Sequence, residues 1–478
     1  MTTRPWLLRL VALAALGSFA VASPAPRPNI VFLLSDDHGW ADVGWHSPEI
    51  KTPNLDRLAL AGAKLEQFYA QPVCSPTRAA LLTGRYPMRY GFQAGVVRPW
   101  ATYGIPAEER TLPQMLREAG YATAIVGKWH LGFASAEFRP THRGFDHHYG
   151  FYNGELDYFT HLRDGGLDWH RDDAVSRDEG YTTTLIANEA VRIIREQPAE
   201  RPLFLYVAFN AVHAPYQVPE RYQAPYAHLP ELRRIYAGMV ATEDEAVGQI
   251  LAALDAKGLR RNTLIVWASD NGGPQPGRVT SNAPLRAGKG TLYEGGVRVS
   301  AFATWEGHIP AGTTVNAPLH MVDWYPTFAG LAGASLEQKL PLDGRDAWPA
   351  LTTRGPSPHD AILLNTTPKN GAIRMGDWKL VLNGGETEAD EGDPAAVDPE
   401  ARKAARKKRA EKKAAGDVVE LFDLAKDISE KTNLAESNPE KVQLLRMRYD
   451  AFAREAVAPK NQPRPAGFTA PQVWGDPK

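Results

Sequence analysis

The chain has 478 residues, and its 43% hydrophobic and 23% charged content excludes a disordered or fibrous protein. Its formal net charge of −1 provides no overall attraction to nucleic acid or acidic membranes, so any preference for anions must come from a local site. The length predicts about two or three domains.

Residues 1–22 have the features of a secretory signal peptide. Arg4 and Arg9 precede an apolar run over 10–22, which ends in the small residues Ala20 and Ala22. This run is shorter than the roughly 20 apolar residues that span a bilayer, so we expect cleavage rather than an anchor. An uncleaved anchor is the alternative. Cleavage predicts a periplasmic or secreted protein without stable membrane insertion.

Short apolar runs alternate with amphipathic helical patterns over residues 23–355. The predicted strands are Asn29–Ser35, Tyr121–Val126, Leu203–Phe209 and Thr263–Ser269. The predicted helices are Leu55–Ala61, Thr182–Arg195 and Leu232–Leu254. This alternation predicts an α/β sandwich with a mostly parallel central sheet, which we take as the catalytic domain.

Residues 356–478 follow a different pattern, which predicts a small C-terminal α+β subdomain with an antiparallel sheet. Its predicted elements are a hairpin of Ala372–Met375 and Trp378–Leu382, a strand at Val418–Asp423 and a helix at Pro439–Ala456. A charged insertion at 386–417 separates the strands. We interpret the insertion as a solvated segment; a docking surface for an acidic polymer is the alternative.

Cys74 is the only cysteine, so the chain cannot form an internal disulfide. It lies in Cys-Ser-Pro-Thr-Arg-Ala-Ala-Leu-Leu-Thr-Gly-Arg, where Pro76 suits the first turn of a helix. Cys74 is therefore predicted at a helix N-terminus, where free amide groups favour an anion. A buried, inert thiol is the ordinary alternative.

Two polar pairs directly follow predicted strands: Asp36-Asp37 and Asp270-Asn271. Strand ends in α/β sheets commonly form sites, and carboxylate and amide oxygens suit Ca²⁺ or Mg²⁺ rather than zinc. Each pair alone could simply be a helix cap or a turn. Together they predict a metal site.

Further segments extend the pattern along the chain: Gly127-Lys128-Trp129-His130-Leu131-Gly132, Val212-His213-Ala214-Pro215, Asp270-Asn271-Gly272-Gly273 and Ala287-Gly288-Lys289-Gly290. With the Cys74 segment and Asp36-Asp37, they resemble the motifs of type I formylglycine-dependent sulfatases. This resemblance implies an alkaline-phosphatase-like fold and a sulfate monoester substrate on a carbohydrate.

The resemblance also implies the cofactors and the residue roles. Cys74 would be oxidised to formylglycine by a formylglycine-generating or anaerobic sulfatase-maturating enzyme. The hydrated aldehyde would attack sulfur. One Ca²⁺ would be held by Asp36, Asp37, Cys74, Asp270 and Asn271. The implied catalytic residues are Cys74, Arg78, Lys128, His130, His213 and Lys289, of which Lys128, His213 and Lys289 would also bind the substrate.

Within this family the chain resembles N-acetylgalactosamine-4-sulfatase (arylsulfatase B) and its bacterial relatives. The segments that carry this similarity are Pro140–Asp146, Tyr236–Val240, Leu292–Arg298, Pro341–Gly344 and Ala372–Leu380. They imply a 4-O-sulfate on N-acetylgalactosamine or galactose. Two alternatives remain: a phosphate or phosphonate ester hydrolase of the same superfamily, and a non-catalytic protein that binds sulfated glycans.

Overall fold

The computed structural model describes residues 27–274, 279–384 and 418–476. The predicted signal peptide 1–22 and the charged insertion 386–417 lie outside these residues. Within the described ranges, no helix is long and apolar enough to cross a membrane.

A ten-stranded sheet forms the centre of the protein. Its strands are β1 (Asn29–Ser35), β2 (Ala63–Leu65), β4 (Ala122–Lys128), β5 (His147–Phe151), β8 (His170–Arg171), β9 (Ala174–Val175), β10 (Leu203–Ala208), β11 (Thr263–Ser269), β12 (Ala301–Thr304) and β13 (Thr313–Val315). Across the sheet they lie in the order β13-β2-β12-β11-β1-β10-β4-β5-β8-β9. The short strands β3 (Phe68–Tyr69) and β14 (Leu319–His320) pair with each other, as do β6 (Leu162–Arg163) and β7 (Gly166–Leu167). The five strands from β11 to β5 are all parallel, while β12, β8 and β9 add antiparallel edges. The mostly parallel sheet is thus confirmed.

Helices cover both faces of this sheet, so its central strands are buried on both sides. In β1, Phe32 belongs to one hydrophobic cluster and Val31 and Leu33 belong to the other. The first cluster includes side chains from α2 (Cys74–Thr83), α3 (Leu112–Glu118), α7 (Trp324–Ala332) and α8 (Trp348–Thr353). The second includes side chains from α1 (Pro53–Leu60), α4 (Thr182–Glu196) and α5 (Glu231–Ala256). The predicted sandwich is confirmed.

A second, four-stranded antiparallel sheet lies toward the C-terminus. It consists of β15 (Ile362–Thr366), β16 (Gly371–Met375), β17 (Trp378–Leu382) and β18 (Val419–Asp423). Leu382 at the end of β17 pairs directly with Val419 at the start of β18. The last helix, α9 (Pro439–Ala453), packs Leu445 and Tyr449 against this sheet.

A buried charged cluster joins the small sheet to the larger part of the protein. Lys379 of β17 lies between Glu294, in the short helix α6 (Glu294–Val297), and Glu430, which follows β18. Its Nζ is 2.9 Å from Glu294 Oε1 and 2.8 Å from Glu430 Oε1, and the three side chains are buried. The segment before α6 carries Lys289, so the small sheet contacts a part of the chain that leads directly to the predicted site.

Candidate active site

The carboxyl ends of β1 and β11 bring the two predicted polar pairs together. Ser35 and Ser269 are register partners in parallel strands, so the residues that follow them leave the sheet side by side. The Asp37 N–H donates to Asp270 Oδ1 at 3.2 Å, and Asn271 Nδ2 donates to Asp37 Oδ1 at 2.7 Å. Asp37 has φ 65°, a left-handed conformation that is uncommon outside glycine and that turns the chain sharply at this point.

Cys74 is the first residue of α2, as its sequence context predicts. The side chain is fully buried, and its Sγ lies 3.3 Å from Asp36 Oδ1. Burial, with the negative charges of Asp270 and Asp36, raises the pKa of the Cys74 thiol well above its usual value. A reactive thiolate is therefore disfavoured here, although the helix N-terminus alone would favour one.

Each of the three carboxylates at this sheet edge has a cationic partner. The pairs are Lys128 Nζ with Asp36 Oδ2 at 2.5 Å, Arg78 NH2 with Asp270 Oδ2 at 2.9 Å, and Lys289 Nζ with Asp37 Oδ2 at 2.9 Å. All six side chains are buried. Buried charges are stable only when paired in this way, so the three basic and three acidic groups form one balanced unit.

The charges shift the pKa values of two of these carboxylates in opposite directions. Burial alone would raise the pKa of Asp36, but the charges of Lys128, His213 and Arg78 outweigh it and hold that pKa well below its usual range. Burial and the adjacent charge of Asp36 raise the pKa of Asp270 to about 6. Of these two neighbouring carboxylates, Asp270 therefore takes up a proton more readily than Asp36.

The residues present fit a hard divalent cation. Ligand atoms of Asp36, Asp37, Cys74 and His213 all lie within 4.8 Å of one another. Asn271 Oδ1 is buried and accepts no hydrogen bond from any described residue, which is unusual for a buried polar atom and leaves an oxygen available to a cation. Carboxylate and amide oxygens are the donors that Ca²⁺ prefers. The structure adds His213 to the neighbourhood, which the sequence did not place among the metal ligands.

His213 lies on the Lys289 side of the site. Its Nε2 is 3.1 Å from Lys289 Nζ and 3.6 Å from Asp37 Oδ2, and only 2% of the side chain is exposed. His213 and Lys289, two of the residues expected to bind the substrate, therefore lie side by side.

His130 lies near the N-terminus of α2. Its backbone carbonyl accepts a hydrogen bond from Ser75 Oγ at 2.8 Å, and its ring Nε2 is 3.1 Å from Val97 O. The residue is buried and has φ 58°, a second left-handed conformation at a predicted site residue. Such backbone strain persists only where the surrounding structure imposes it.

The sequence missed the segment Asn153-Gly154-Glu155, which lies against both histidines. A Cβ added at Gly154 would be 2.4 Å from His130 Cε1, and Glu155 Oε2 is 3.6 Å from His213 Nδ1. A sequence signal did exist, because these residues follow β5, and its last residue Phe151 pairs in parallel with Lys128. Polar residues that follow a parallel strand lie at the same edge of the sheet, although the strand order alone does not say which of them contacts a histidine.

Comparisons with known proteins agree on one family. The Sulfatase family model matches residues 28–334. Arylsulfatase J of Mus musculus is 37% identical over 485 residues, covering 94% of this chain and 80% of the relative. N-acetylgalactosamine-6-sulfatase of Rattus norvegicus is 38% identical and covers 72% of this chain and 69% of the relative. The crystal structure of Ps i-CgsB in complex with k-i-k-neocarrahexaose superposes with a TM-score of 0.78 at 32% identity, covering 91% of this chain and 94% of that one.

Proposed function

The chain belongs to the sulfatase family and is a sulfuric ester hydrolase, and from this premise we propose that it removes the 4-O-sulfate from galactose-configured sugar units. We further propose that it uses two groups. One is a formylglycine formed from Cys74, and the other is a single bound Ca²⁺. The observation that carries this proposal is the convergence of Cys74, three carboxylates and three cationic side chains at one buried sheet edge.

The charge balance of the site suits an anionic substrate only after a cation is added. Arg78, Lys128 and Lys289 offset the three carboxylates, which leaves no surplus positive charge. A divalent cation held by Asp36, Asp37, Cys74, Asp270 and Asn271 would leave a surplus of two positive charges. Preorganised positive charge in a site shielded from water stabilises the charge that builds on sulfate oxygens.

The formylglycine would supply a hydroxyl nucleophile at position 74, and the Ca²⁺ would supply a Lewis acid beside it. The chain's own residues do the rest. In this proposal Asp37 accepts the proton at position 74. Arg78 and Lys128 hold the charge around position 74, where both contact Asp36.

The remaining basic residues handle the protons of the two half-reactions. His213 and Lys289, 3.1 Å apart, contact the sulfate and protonate the oxygen of the leaving sugar. His130, which lies near the N-terminus of α2, would accept a proton at position 74 in the second half-reaction, where the modified residue would release sulfate. A plain cysteine has no second hydroxyl and cannot complete this step.

Two lines of support favour a galactose-configured substrate. The segments from Pro140–Asp146 to Ala372–Leu380 resemble the N-acetylgalactosamine-4-sulfatase group. Ps i-CgsB, which covers most of this chain, was crystallised with a neocarrahexaose. The name of the rat relative specifies a 6-sulfate instead, so experiment must decide from which ring position the sulfate is removed.

The test is sulfate release from a panel of mono- and disaccharides that carry a single 4- or 6-sulfate on galactose or N-acetylgalactosamine. The protein is co-produced with a formylglycine-generating enzyme, and mass spectrometry verifies conversion of Cys74. We expect fastest release from a 4-sulfate and none from Cys74→Ala. Preferred release from 6-sulfates would contradict the positional assignment, and faster turnover of 4-nitrophenyl phosphate than of 4-nitrophenyl sulfate would contradict the choice of sulfate.

We also propose export and maturation in the host. Export follows from the features of residues 1–22, and N-terminal sequencing of the native protein tests cleavage after Ala22. Maturation requires a formylglycine-generating or anaerobic sulfatase-maturating enzyme. Native protein with an intact thiol at position 74 and no sulfatase activity would instead support a non-catalytic glycan-binding role.

A further inference from the structure

The segment Asn153-Gly154-Glu155 is held rigidly against the site. Asp168 accepts hydrogen bonds from the Asn153 N–H at 2.8 Å and from Asn153 Nδ2 at 2.9 Å. Gly154 fits directly against the His130 ring, where no larger residue has space. Glu155 is thereby fixed beside His213 by the backbone that precedes it.

The Glu155 carboxylate contacts His213 on the edge of the ring away from Lys289. Its Oε2 is buried, accepts no hydrogen bond within the described part of the chain, and lies 3.6 Å from His213 Nδ1. Its other oxygen contacts the Arg163 guanidinium, and 13% of the side chain is exposed. The carboxylate is therefore held in place from its far side and presents a negative charge to the imidazole.

The two ring nitrogens of His213 have separate surroundings. Nδ1 hydrogen-bonds to Ala214 O at 2.6 Å, with Glu155 next to it, while Nε2 lies 3.1 Å from Lys289 Nζ. A carboxylate or carbonyl beside one nitrogen keeps a proton on that nitrogen and turns the other toward the site. Ala214 O and the Glu155 carboxylate both favour a proton on Nδ1, so Nε2 is directed at Lys289.

We propose that Glu155 is a positioning residue, which holds His213 so that its Nε2 and Lys289 Nζ can deliver a proton to the leaving oxygen. This rests on the proposed function. In that step sulfur bonds to the attacking oxygen while its bond to the alcohol oxygen breaks. The electron pair of the broken bond goes to the alcohol oxygen, which takes up the proton held between Nε2 and Nζ. Solvent then returns a proton to the pair.

The role of Glu155 predicts a dependence on the leaving group. 4-Nitrophenolate departs readily without receiving a proton. Phenolate is a poorer leaving group, so its departure gains more from general acid catalysis. A misdirected His213 therefore slows phenyl sulfate much more than 4-nitrophenyl sulfate. A loss of folded protein, by contrast, slows both substrates by the same factor.

The experiment measures kcat/KM for 4-nitrophenyl sulfate and phenyl sulfate with the matured enzyme and with Glu155→Gln, which keeps the shape of the side chain and removes its charge. We expect phenyl sulfate turnover to fall at least about tenfold further than 4-nitrophenyl sulfate turnover. Glu155→Ala is the second variant, because it also removes the contact with Arg163. It should show the same larger loss of kcat/KM for phenyl sulfate than for 4-nitrophenyl sulfate.

Asp157→Asn is the matched control. Asp157 lies in the same segment and accepts hydrogen bonds from Gln217 Nε2 at 2.7 Å and Thr160 N at 2.8 Å, but its partners do not include His213. It should change both substrates by one common factor. Equal losses in Glu155→Gln, or no loss, would overturn the role of Glu155 while leaving the proposed function intact. Absence of turnover in the matured wild-type enzyme would instead defeat the proposed function.

Discussion

Lys379 offers the sharpest test of how the two sheets are held together. Lys379→Met leaves Glu294 and Glu430 buried without their shared cation. Removal of one partner from a buried ion pair typically costs about 3–5 kcal/mol, because the other charge remains desolvated. Burial raises the pKa of Glu430 to about 7, so this carboxyl can take up a proton at neutral pH and reduce the penalty. We therefore expect the lower end of the range, about 3 kcal/mol.

The assay is urea unfolding at pH 7, followed by tryptophan fluorescence, with the midpoint compared between variants. Lys426→Met is the control, since Lys426 is 84% exposed and forms a 2.9 Å surface pair with Asp423. Such a pair contributes only about 0–1 kcal/mol. The double variant Lys379→Met/Glu430→Gln should recover at least about 1 kcal/mol by removing the Glu430 carboxylate, since Glu294 keeps its ion pair with Arg298. Equal midpoints for Lys379→Met and Lys426→Met would refute the reasoning.

Three further predictions concern single residues. Gly154→Ala should lower kcat at least about tenfold, because its Cβ would meet the His130 ring at 2.4 Å; unchanged steady-state kinetics would contradict this contact. Calcium affinity, measured by titration calorimetry of the metal-free protein, should weaken as pH falls below about 6, because Asp270 must lose its proton to act as a ligand; equal affinities at pH 5 and 7.5 would oppose that assignment. Burial raises the pKa of Glu243 from 4.5 to about 8, so between these values the folded protein keeps a proton that the unfolded chain has lost, and stability falls as pH rises. Glu243→Gln should flatten this decline in melting temperature, and an unchanged pH profile would show that Glu243 is not its source.

The sequence predicted the elements whose residues follow a local rule. The strand Asn29–Ser35 is a continuous apolar run because both faces of β1 are covered by helices, and it was found at the bounds that the structure has. Cys74 was placed at the start of α2 because Pro76 and the residues after it suit a helix. Asp36 and Asp270 were associated because each directly follows a strand.

Contacts between single distant residues could not be predicted in this way. Lys379 occupies a strand position where a lysine ordinarily faces solvent, and nothing local reveals that Glu294, 85 positions away, meets it in the interior. Glu155 lies in a segment without helical or strand periodicity, so its approach to His213 depends on the fold as a whole. Loops commonly carry binding residues and vary more than the elements they connect, so the sugar of the substrate could not be read from the sequence.

Because Leu382 pairs with Val419, the number of residues between them does not determine how the small sheet is built. The polypeptide leaves the small sheet and rejoins it at adjacent positions of one antiparallel ladder, and Asn383 N donates to Val418 O at 2.8 Å, so these two described positions lie as close together as the ends of a tight turn. The cost of closing a loop grows only slowly with its length. This position can therefore accept a longer or shorter insertion, or a foreign domain, without changing the register of the strands that brace the segment carrying Lys289.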